Sequence, residues 1–146
     1  MTRKVIGVKF NTGKKGEINV GNLIKAVLVE NDTQNQKVSI KMIEVEKEGR
    51  SLGYEKINEL IGCNTMDVVT VANDIDMFVD DEGLLVSGNQ VNEISFADGS
   101  LTENLYLAGN ILMLSHDYEG NSTTLNEEQL RYIFENIKIT PYGMTR

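Results

Sequence analysis

Two strand-like segments separated by a short polar turn place the strongest constraint on the fold of this chain. The segments are IKAVLVE at residues 24–30 and KVSIKMIEV at residues 37–45, and both are rich in Val and Ile. The stretch between them, NDTQNQ at residues 31–36, is polar throughout. Two β-like runs around a polar turn are typical of a hairpin, so the sequence predicts an antiparallel strand pair here.

Further β-like segments occur on both sides of this hairpin. Residues 3–10 and 17–20 flank a turn rich in Gly and Lys, and residues 66–71 and 75–79 are hinged at Ala72-Asn73-Asp74. The run LYLAGNILMLS at residues 105–115 is too apolar for an exposed loop. It is either a buried pair of strands or one strand bent at Gly109-Asn110.

Two segments have helical periodicity instead. Residues 51–61 place apolar side chains on one face and are followed by Gly62, a typical helix end. The segment Thr124-Leu125-Asn126-Glu127 fits the capping-box pattern at a helix start. The apolar stripe expected after it consists of Leu130, Ile133, Phe134 and Ile137.

Together these segments predict an α+β fold, a mostly antiparallel β-sheet with two amphipathic helices packed on one face. The chain has 146 residues and one proline, and no stretch of it has the composition of a linker. We therefore expect a single domain over residues 1–146.

Composition indicates the cellular compartment in which the protein is expected. The one cysteine excludes an intramolecular disulfide bond. No apolar run approaches the roughly 20 residues of a membrane helix, and the opening residues lack the apolar core of a signal peptide. We expect a cytoplasmic protein without a membrane partner.

Charge is distributed unevenly along the chain. Residues 1–25 contain six cationic residues and one acid, whereas residues 73–135 contain thirteen acids and one base, within a net charge of −8. An acidic surface repels the backbone of nucleic acids, so direct nucleic-acid binding is not expected. The basic segment could attract an anion or the acidic face of a second copy, or both charged regions could simply be solvated.

No catalytic motif is recognisable. Cys63 and His116 lie far apart on different predicted elements, and the sequence lacks a nucleophile elbow and a dinucleotide-binding loop. The set of His and Cys residues is too small for a usual zinc site. The sequence therefore predicts no enzyme activity and no cofactor.

The Gly-Lys turn at residues 12–16 is the candidate anion site. Its glycine spacing does not match a Walker A motif, and no Ser or Thr follows Lys14 and Lys15. Two lysines beside glycine amides can still hold an anion without hydrolysing it, although such turns also occur without any ligand.

Residues 117–128 resemble a calcium loop in part. Asp117, Glu119, Asn121 and Glu128 occupy ligand positions of such a loop, but the glycine is misplaced at Gly120 and a strand precedes the segment. A turn followed by a capped helix accounts for the same residues.

Several short pieces of this sequence resemble a family of small uncharacterised proteins of bacteria, phages and mobile elements. The matching pieces, over residues 26–137, are Ala26–Glu30, Ile61-Gly62, Asp81-Glu82-Gly83, Asn89, Gly109-Asn110, Asp117, Gly120 and Leu125. The resemblance implies a family-like core at 26–137, with residues 1–25 as an N-terminal β extension. It also implies a phage or mobile-element setting, and it provides no established reaction to expect of this chain.

Two hypotheses follow. In the first, a non-catalytic homo-oligomer binds and sequesters a small anionic nucleotide-like ligand and so counters host antiviral defence, with Lys14, Lys15, Asn89 and Asn110 as candidate ligand-binding residues. The two asparagines either line a pocket or close turns. In the second, the acidic region is an interaction module that inhibits a host nuclease or DNA-binding protein.

Overall fold

The computed structural model describes residues 23–47, 49 and 51–146. The strands predicted at 3–10 and 17–20, and the turn with Lys14 and Lys15, lie outside these residues. The described elements, in chain order, are β1 (Leu23–Asp32), β2 (Lys37–Glu46), α1 (Tyr54–Ile61), β3 (Met66–Val71), a short 3-10 turn (Ala72–Asp74), β4 (Ile75–Asp80), β5 (Gln90–Phe96), β6 (Leu105–Ala108), β7 (Ile111–His116), β8 (Ser122–Thr123), α2 (Glu127–Asn136) and β9 (Ile137–Met144).

The main sheet has the strand order β2-β1-β7-β4-β3, with β8 paired to β7. Every strand pair in it is antiparallel. The predicted hairpin is confirmed as β1 and β2, which pair from Leu23↔Glu46 to Asp32↔Lys37. The strands expected on either side of residues 72–74 are confirmed as β3 and β4.

A second, three-stranded antiparallel sheet has the order β6-β5-β9. The sequence did not predict β5 or β9. The apolar run at residues 105–115 forms two strands, but they belong to different sheets: β6 pairs with β5, whereas β7 lies in the middle of the main sheet. The turn at Gly109-Asn110 therefore carries the chain from one sheet to the other.

The α+β fold, mostly antiparallel sheet with two helices, is confirmed, but the helices do not share a face of the main sheet. Helix α1 packs with the β1 side chains Ala26 and Leu28, whereas α2 and the second sheet pack with Val27 and Val29. Successive side chains of a strand point to opposite faces, so the two helices lie on opposite sides. The molecule has three layers: α1, the main sheet, and the second sheet with α2. Each fully buried Ile or Leu in these clusters contributes about 1.5–3 kcal/mol.

The residues that end α1 and those that begin α2 can be identified. Gly62 ends α1 in the left-handed conformation, with φ of 77°, as its position predicted. The capping box of α2 is formed by Asn126 and Gln129, so the assignment of Thr124 to the cap was wrong. The hydroxyl of Thr124 instead accepts a hydrogen bond from the backbone N–H of Lys25. Phe134, expected in the buried stripe, is 51% exposed.

Candidate functional site

One end of the main sheet is polar on the face that α1 covers elsewhere. Helix α1 packs on the apolar part of this face, around Leu28, Leu112 and neighbouring side chains. Beyond it, the paired residues Glu30↔Ser39 and Asp32↔Lys37 continue the same face of β1 and β2. Polar side chains thus replace apolar ones where the helix no longer shields the sheet from water.

A pocket of about 580 Å3 lies at this polar end, and we call it the sheet-end pocket. Its lining consists of Glu30, Asn31, Asp32, Lys37, Val38, Ser39 and Asn110. The charge of Glu30 is offset by Lys41, whose Nζ lies 2.7 Å from a carboxylate oxygen. Hydrogen bonds from Asn35 hold the pKa of the Asp32 carboxyl below its usual value. The pocket therefore contains both cationic and anionic groups.

A cluster of buried amides lies on the opposite face of the same sheet end. Gln90 and Asn92, on β5, are 1% and 0% exposed and point toward the main sheet. Their amide nitrogens both donate to Oδ1 of Asn31, over 3.2 and 2.7 Å. Gln90 Nε2 also donates to the carbonyl of Lys37 and to Asn92 Oδ1. These bonds pair the amide nitrogens, which would otherwise destabilise an apolar interface, whereas the buried Gln90 Oε1 accepts no hydrogen bond from the described residues.

Asn31 connects the amide cluster to the sheet-end pocket. Its backbone N–H donates to Oδ1 of Asn110 over 2.8 Å, while its side chain accepts from Gln90 and Asn92. The bond to Asn31 uses one acceptor position of the Asn110 amide oxygen, and the amide nitrogen is the donor that Asn110 can offer a ligand. The buried hydrogen bonds from Gln90 and Asn92 therefore fix the position of Asn31 in the wall of the pocket.

The structure separates the residues that the sequence grouped as ligand-binding. Asn110 lines the sheet-end pocket. Asn89 closes a loop: its side chain donates to the carbonyl of Gly83 over 2.8 Å, and its backbone N–H donates to Thr145 Oγ1. Lys14 and Lys15 lie outside the described residues.

The metal-ligand candidates fall in two places. Asp117 and Asn121 lie in one turn, in which Asp117 Oδ1 accepts from the backbone N–H groups of Glu119 and Asn121 at 2.9 Å each. Glu128 lies on α2 and lines a different pocket. Across residues 23–47, 49 and 51–146, no group of three or more His, Cys, Asp or Glu side chains is placed to hold a metal ion.

A second pocket, of about 450 Å3, runs along α2, and we call it the helix pocket. Its charged lining residues are Asp74, Glu128, Arg131 and Glu135, so acids predominate. The turn at its rim contains two successive left-handed residues, Asn73 and Asp74, with φ of 62° and 60°. Gln129 Nε2 donates to the backbone carbonyls of Asn73 and Asp74 and thereby holds this turn. It also donates to Ser115 Oγ on β7.

His116 pairs with a buried carboxylate rather than with Cys63. Its Nδ1 lies 3.0 Å from an oxygen of Asp76, whose other oxygen accepts from the hydroxyl of Thr70 over 2.6 Å. Cys63 Sγ contacts Asn58 Oδ1, and burial raises the pKa of its thiol. The histidine and the cysteine thus have separate partners, and no nucleophilic pair forms between them.

Sequence reasoning missed most of the residues around the sheet-end pocket. The lining side chains of Lys37 and Ser39 share a face with Asp32 and Glu30 only because of the hairpin register. The buried amides had a weak signal in the segment QVN, where polar residues at positions 90 and 92 alternate with Val91. That alternation indicates a strand, but not which face is buried.

Comparison with known proteins gives a family match. The sequence model of a family described as a domain of unknown function, DUF3846, matches residues 24–138. No curated protein and no solved structure matches the chain. Neither helix in the described part of the chain has the length and apolar character needed to cross a bilayer.

Proposed function

We propose that this chain, which belongs to the DUF3846 family, is a non-catalytic protein that binds a small anionic, nucleotide-like molecule. The observation that carries the proposal is the sheet-end pocket, which has a volume of about 580 Å3 and is lined in part by Lys37, Ser39 and Asn110. Its volume lies in the range of small-molecule sites.

The donors of the pocket suit a ligand with exposed acceptor atoms. Lys37 contributes an ammonium group, Ser39 a hydroxyl group, and Asn110 the amide nitrogen left free by its bond to Asn31. Phosphate and carbonyl oxygens accept hydrogen bonds from such groups, and bonds to the charged lysine are the stronger ones. Lys41 offsets the charge of Glu30. The positive charge of Lys37 is therefore opposed in the pocket by one carboxylate, that of Asp32, and not by two.

Asp32 supports a ligand that also carries hydrogen-bond donors. Its carboxyl has a lowered pKa because Asn35 donates to it, so it remains ionised at neutral pH. An ionised carboxylate accepts from N–H groups and repels a second phosphate. A nucleobase joined to a single anionic group meets both requirements better than a polyphosphate does.

The biological role that we propose is sequestration. The ligand is held without conversion, and its removal from solution serves a phage or mobile element by countering host antiviral defence. We further propose that the protein is a homo-oligomer, and that Lys14 and Lys15 add positive charge to the ligand site. The double variant Lys14→Glu with Lys15→Glu is then expected to abolish binding.

Mass spectrometry of the full chain purified from cells tests the proposal. Native spectra give the mass of the assembly, and denaturing spectra identify any small molecule released from it. The purified chain is also titrated with nucleoside monophosphates and cyclic dinucleotides, and its thermal unfolding is recorded, because a ligand that binds the native state raises Tm. A chain that releases nothing and shows no change in Tm with any of these probes contradicts the proposal.

Two variants locate the site. Lys37→Glu removes the cation and is expected to lower affinity for the anionic probes by about tenfold or more, which corresponds to about 1.4 kcal/mol. The matched control is Lys56→Glu, because Lys56 lies on α1 beside Glu59 and away from the lining residues. Equal loss of affinity in the two variants would indicate a general charge effect and not this pocket.

An inhibitor of a host nuclease or DNA-binding protein is the second candidate function, and the helix pocket favours it. Asp74, Glu128 and Glu135 line that pocket against a single cation, Arg131, so it suits a basic side chain of a protein partner. The expected complex weakens steeply as salt is raised. Glu128→Lys with Glu135→Lys should abolish it, whereas Lys37→Glu should not.

A further inference from the structure

The loop between β4 and β5 exposes three consecutive apolar residues. Leu84, Leu85 and Val86 are 57%, 83% and 50% exposed, and none of them joins either core cluster. Contiguous exposed apolar residues lower solubility, and outside binding surfaces soluble domains avoid them. We call residues 81–89 the apolar loop.

The base of the apolar loop is packed tightly against the second sheet. A Cβ atom on Gly83 would lie 3.0 Å from the carbonyl oxygen of Ala108 and 3.2 Å from its Cβ. The carbonyl of Gly83 accepts from the side chain of Asn89, which closes the loop across its base. Glycine at this position therefore allows the loop to approach β6 more closely than any other residue would.

Thr145, which follows β9, fixes the tip of the apolar loop. Thr145 Oγ1 donates to the carbonyl of Val86 over 2.6 Å and accepts from the backbone N–H of Asn89 over 2.9 Å. Two backbone bonds join Thr145 to Gly88 and Asn89. A loop held at both its base and its tip loses little conformational entropy on binding, so its apolar residues are preorganised for contact.

Charge around the apolar residues selects the kind of partner. Asp81 and Glu82 immediately precede Gly83, and both are exposed. Arg146, which follows Thr145, is exposed as well, but the two acids outnumber it. Together with the net charge of −8, they repel the anionic headgroups of a membrane, and in a symmetric contact they would face the same acids of a second copy. A basic rim on the partner would complement them.

We propose that the apolar loop is a docking site for a protein partner that offers an apolar cleft rimmed by Lys or Arg side chains. Leu85, the most exposed of the three apolar residues, is the central contact. None of residues 81–89 lines the sheet-end pocket or the helix pocket, so this surface goes beyond both functions proposed above.

A displayed library of random peptides, panned against the full chain, tests the proposal. The enriched peptides should combine apolar residues with Lys or Arg, and they should bind Leu85→Ser at least about tenfold more weakly than the wild type. Asp81→Lys with Glu82→Lys should also weaken them. Tyr118→Ser is the matched control, because Tyr118 is 97% exposed but lies in another turn, and it should bind as the wild type does. Thermal unfolding of Leu85→Ser should be unchanged, since the side chain is largely in water.

Several results would overturn the proposal. Peptides that bind Leu85→Ser as tightly as the wild type, peptides without basic residues, or a library from which nothing is enriched would each do so. Wild-type protein retained by vesicles of phosphatidylcholine and phosphatidylglycerol, but not its Leu85→Ser variant, would assign the loop to a membrane. A concentration-dependent dimer in sedimentation that Leu85→Ser abolishes would assign it to a second copy.

Discussion

The backbone N–H of Asn31 donates to the side-chain oxygen of Asn110 across 2.8 Å, and this bond joins strand β1 to the turn before β7. The side chain of Asn31 meanwhile accepts from Gln90 and Asn92 on the other face of the main sheet. One residue thus links the open pocket to the buried amides. A change at Asn110 should therefore affect both ligand binding and stability, and the two effects are separable.

Two substitutions at Asn110 separate them. Asn110→Ala leaves the N–H of Asn31 without its partner and should cost about 1–3 kcal/mol in the free energy of unfolding. Asn110→Asp retains an acceptor oxygen and should cost less, while it replaces the free donor with negative charge and so abolishes binding of anionic probes. Urea unfolding gives the first quantity and titration with nucleoside monophosphates the second. Equal losses of stability in the two variants would contradict the role assigned to this bond.

Gln129 should be a sensitive position on α2. Its Oε1 accepts from the backbone N–H of Asn126 over 3.0 Å, and its Nε2 donates to Ser115 Oγ and to the turn at Asn73. Gln129→Ala should lower the free energy of unfolding by about 2–3 kcal/mol, from the loss of its side-chain bond in the capping box and of buried hydrogen bonds. The exposed neighbour Glu135 provides the control Glu135→Ala. Urea unfolding curves that coincide for the two variants would refute the prediction.

Acid should destabilise the fold in part through Asp98. The backbone N–H of Ser100 and the hydroxyl of Tyr132 both donate to this carboxylate, and they hold its pKa below 3.8. A depressed pKa in the folded state contributes stability above the unfolded-state value, and that contribution is lost as pH falls through the folded-state value. Asp98→Asn removes the titration, so its stability should decline less between about pH 5 and about pH 2. Parallel curves of urea midpoint against pH would contradict this.

Cys63 should react slowly in the native protein. Burial raises the pKa of its thiol above 9.0, and the negative charge of Asp80 raises it further. Less thiolate is then present at neutral pH, and the thiolate is the reactive form. Alkylation by iodoacetamide should be slower in the native chain than in urea, and the midpoint of its rate against pH should lie above 9.0. Asp80→Asn should lower that midpoint; an unchanged midpoint would exclude the carboxylate as a cause.

Gly83→Ala should displace the apolar loop from the second sheet. The added methyl group would lie 3.0 Å from the carbonyl oxygen of Ala108, a backbone atom that cannot swing aside. Overpacking of this kind costs about 1–3 kcal/mol. Hydrogen exchange should then increase at the amides of Gly88 and Asn89, and unfolding should occur at a lower temperature. Gly143→Ala is the control, because a Cβ there meets nothing within 4 Å.

The elements that could be predicted from the sequence are those specified by local patterns. The β1–β2 hairpin has apolar strands around a polar turn, and α1 ends at a glycine. Strand β5 has only a weak alternation, and its first two inward positions are the polar Gln90 and Asn92, so the sequence does not show which face is buried. Strand β9 follows α2 without a turn and contains Pro141 beside a bulge, where a missing N–H is tolerated.

The candidate site was predicted only at Asn110, because the other lining residues depend on tertiary structure. Lys37 and Ser39 share a face with Asp32 through the register of the hairpin, and α1 ends short of them. The cap of α2 was misassigned for a similar reason: the hydroxyl of Thr124 is used by Lys25, a residue far away in the sequence. Hydrogen bonds between distant segments leave no periodic trace in a single sequence.

The buried amides of β5 also determine how the two sheets can align. An interface made only of methyl groups permits small displacements, because one apolar contact replaces another. A slip of β5 by one residue would instead turn Val91 and Glu93 inward and leave Asn31 Oδ1 without either donor. Sheets joined one residue out of register would therefore leave Asn31 Oδ1 unpaired in addition to Gln90 Oε1, so the amide cluster favours one layered arrangement over its neighbours.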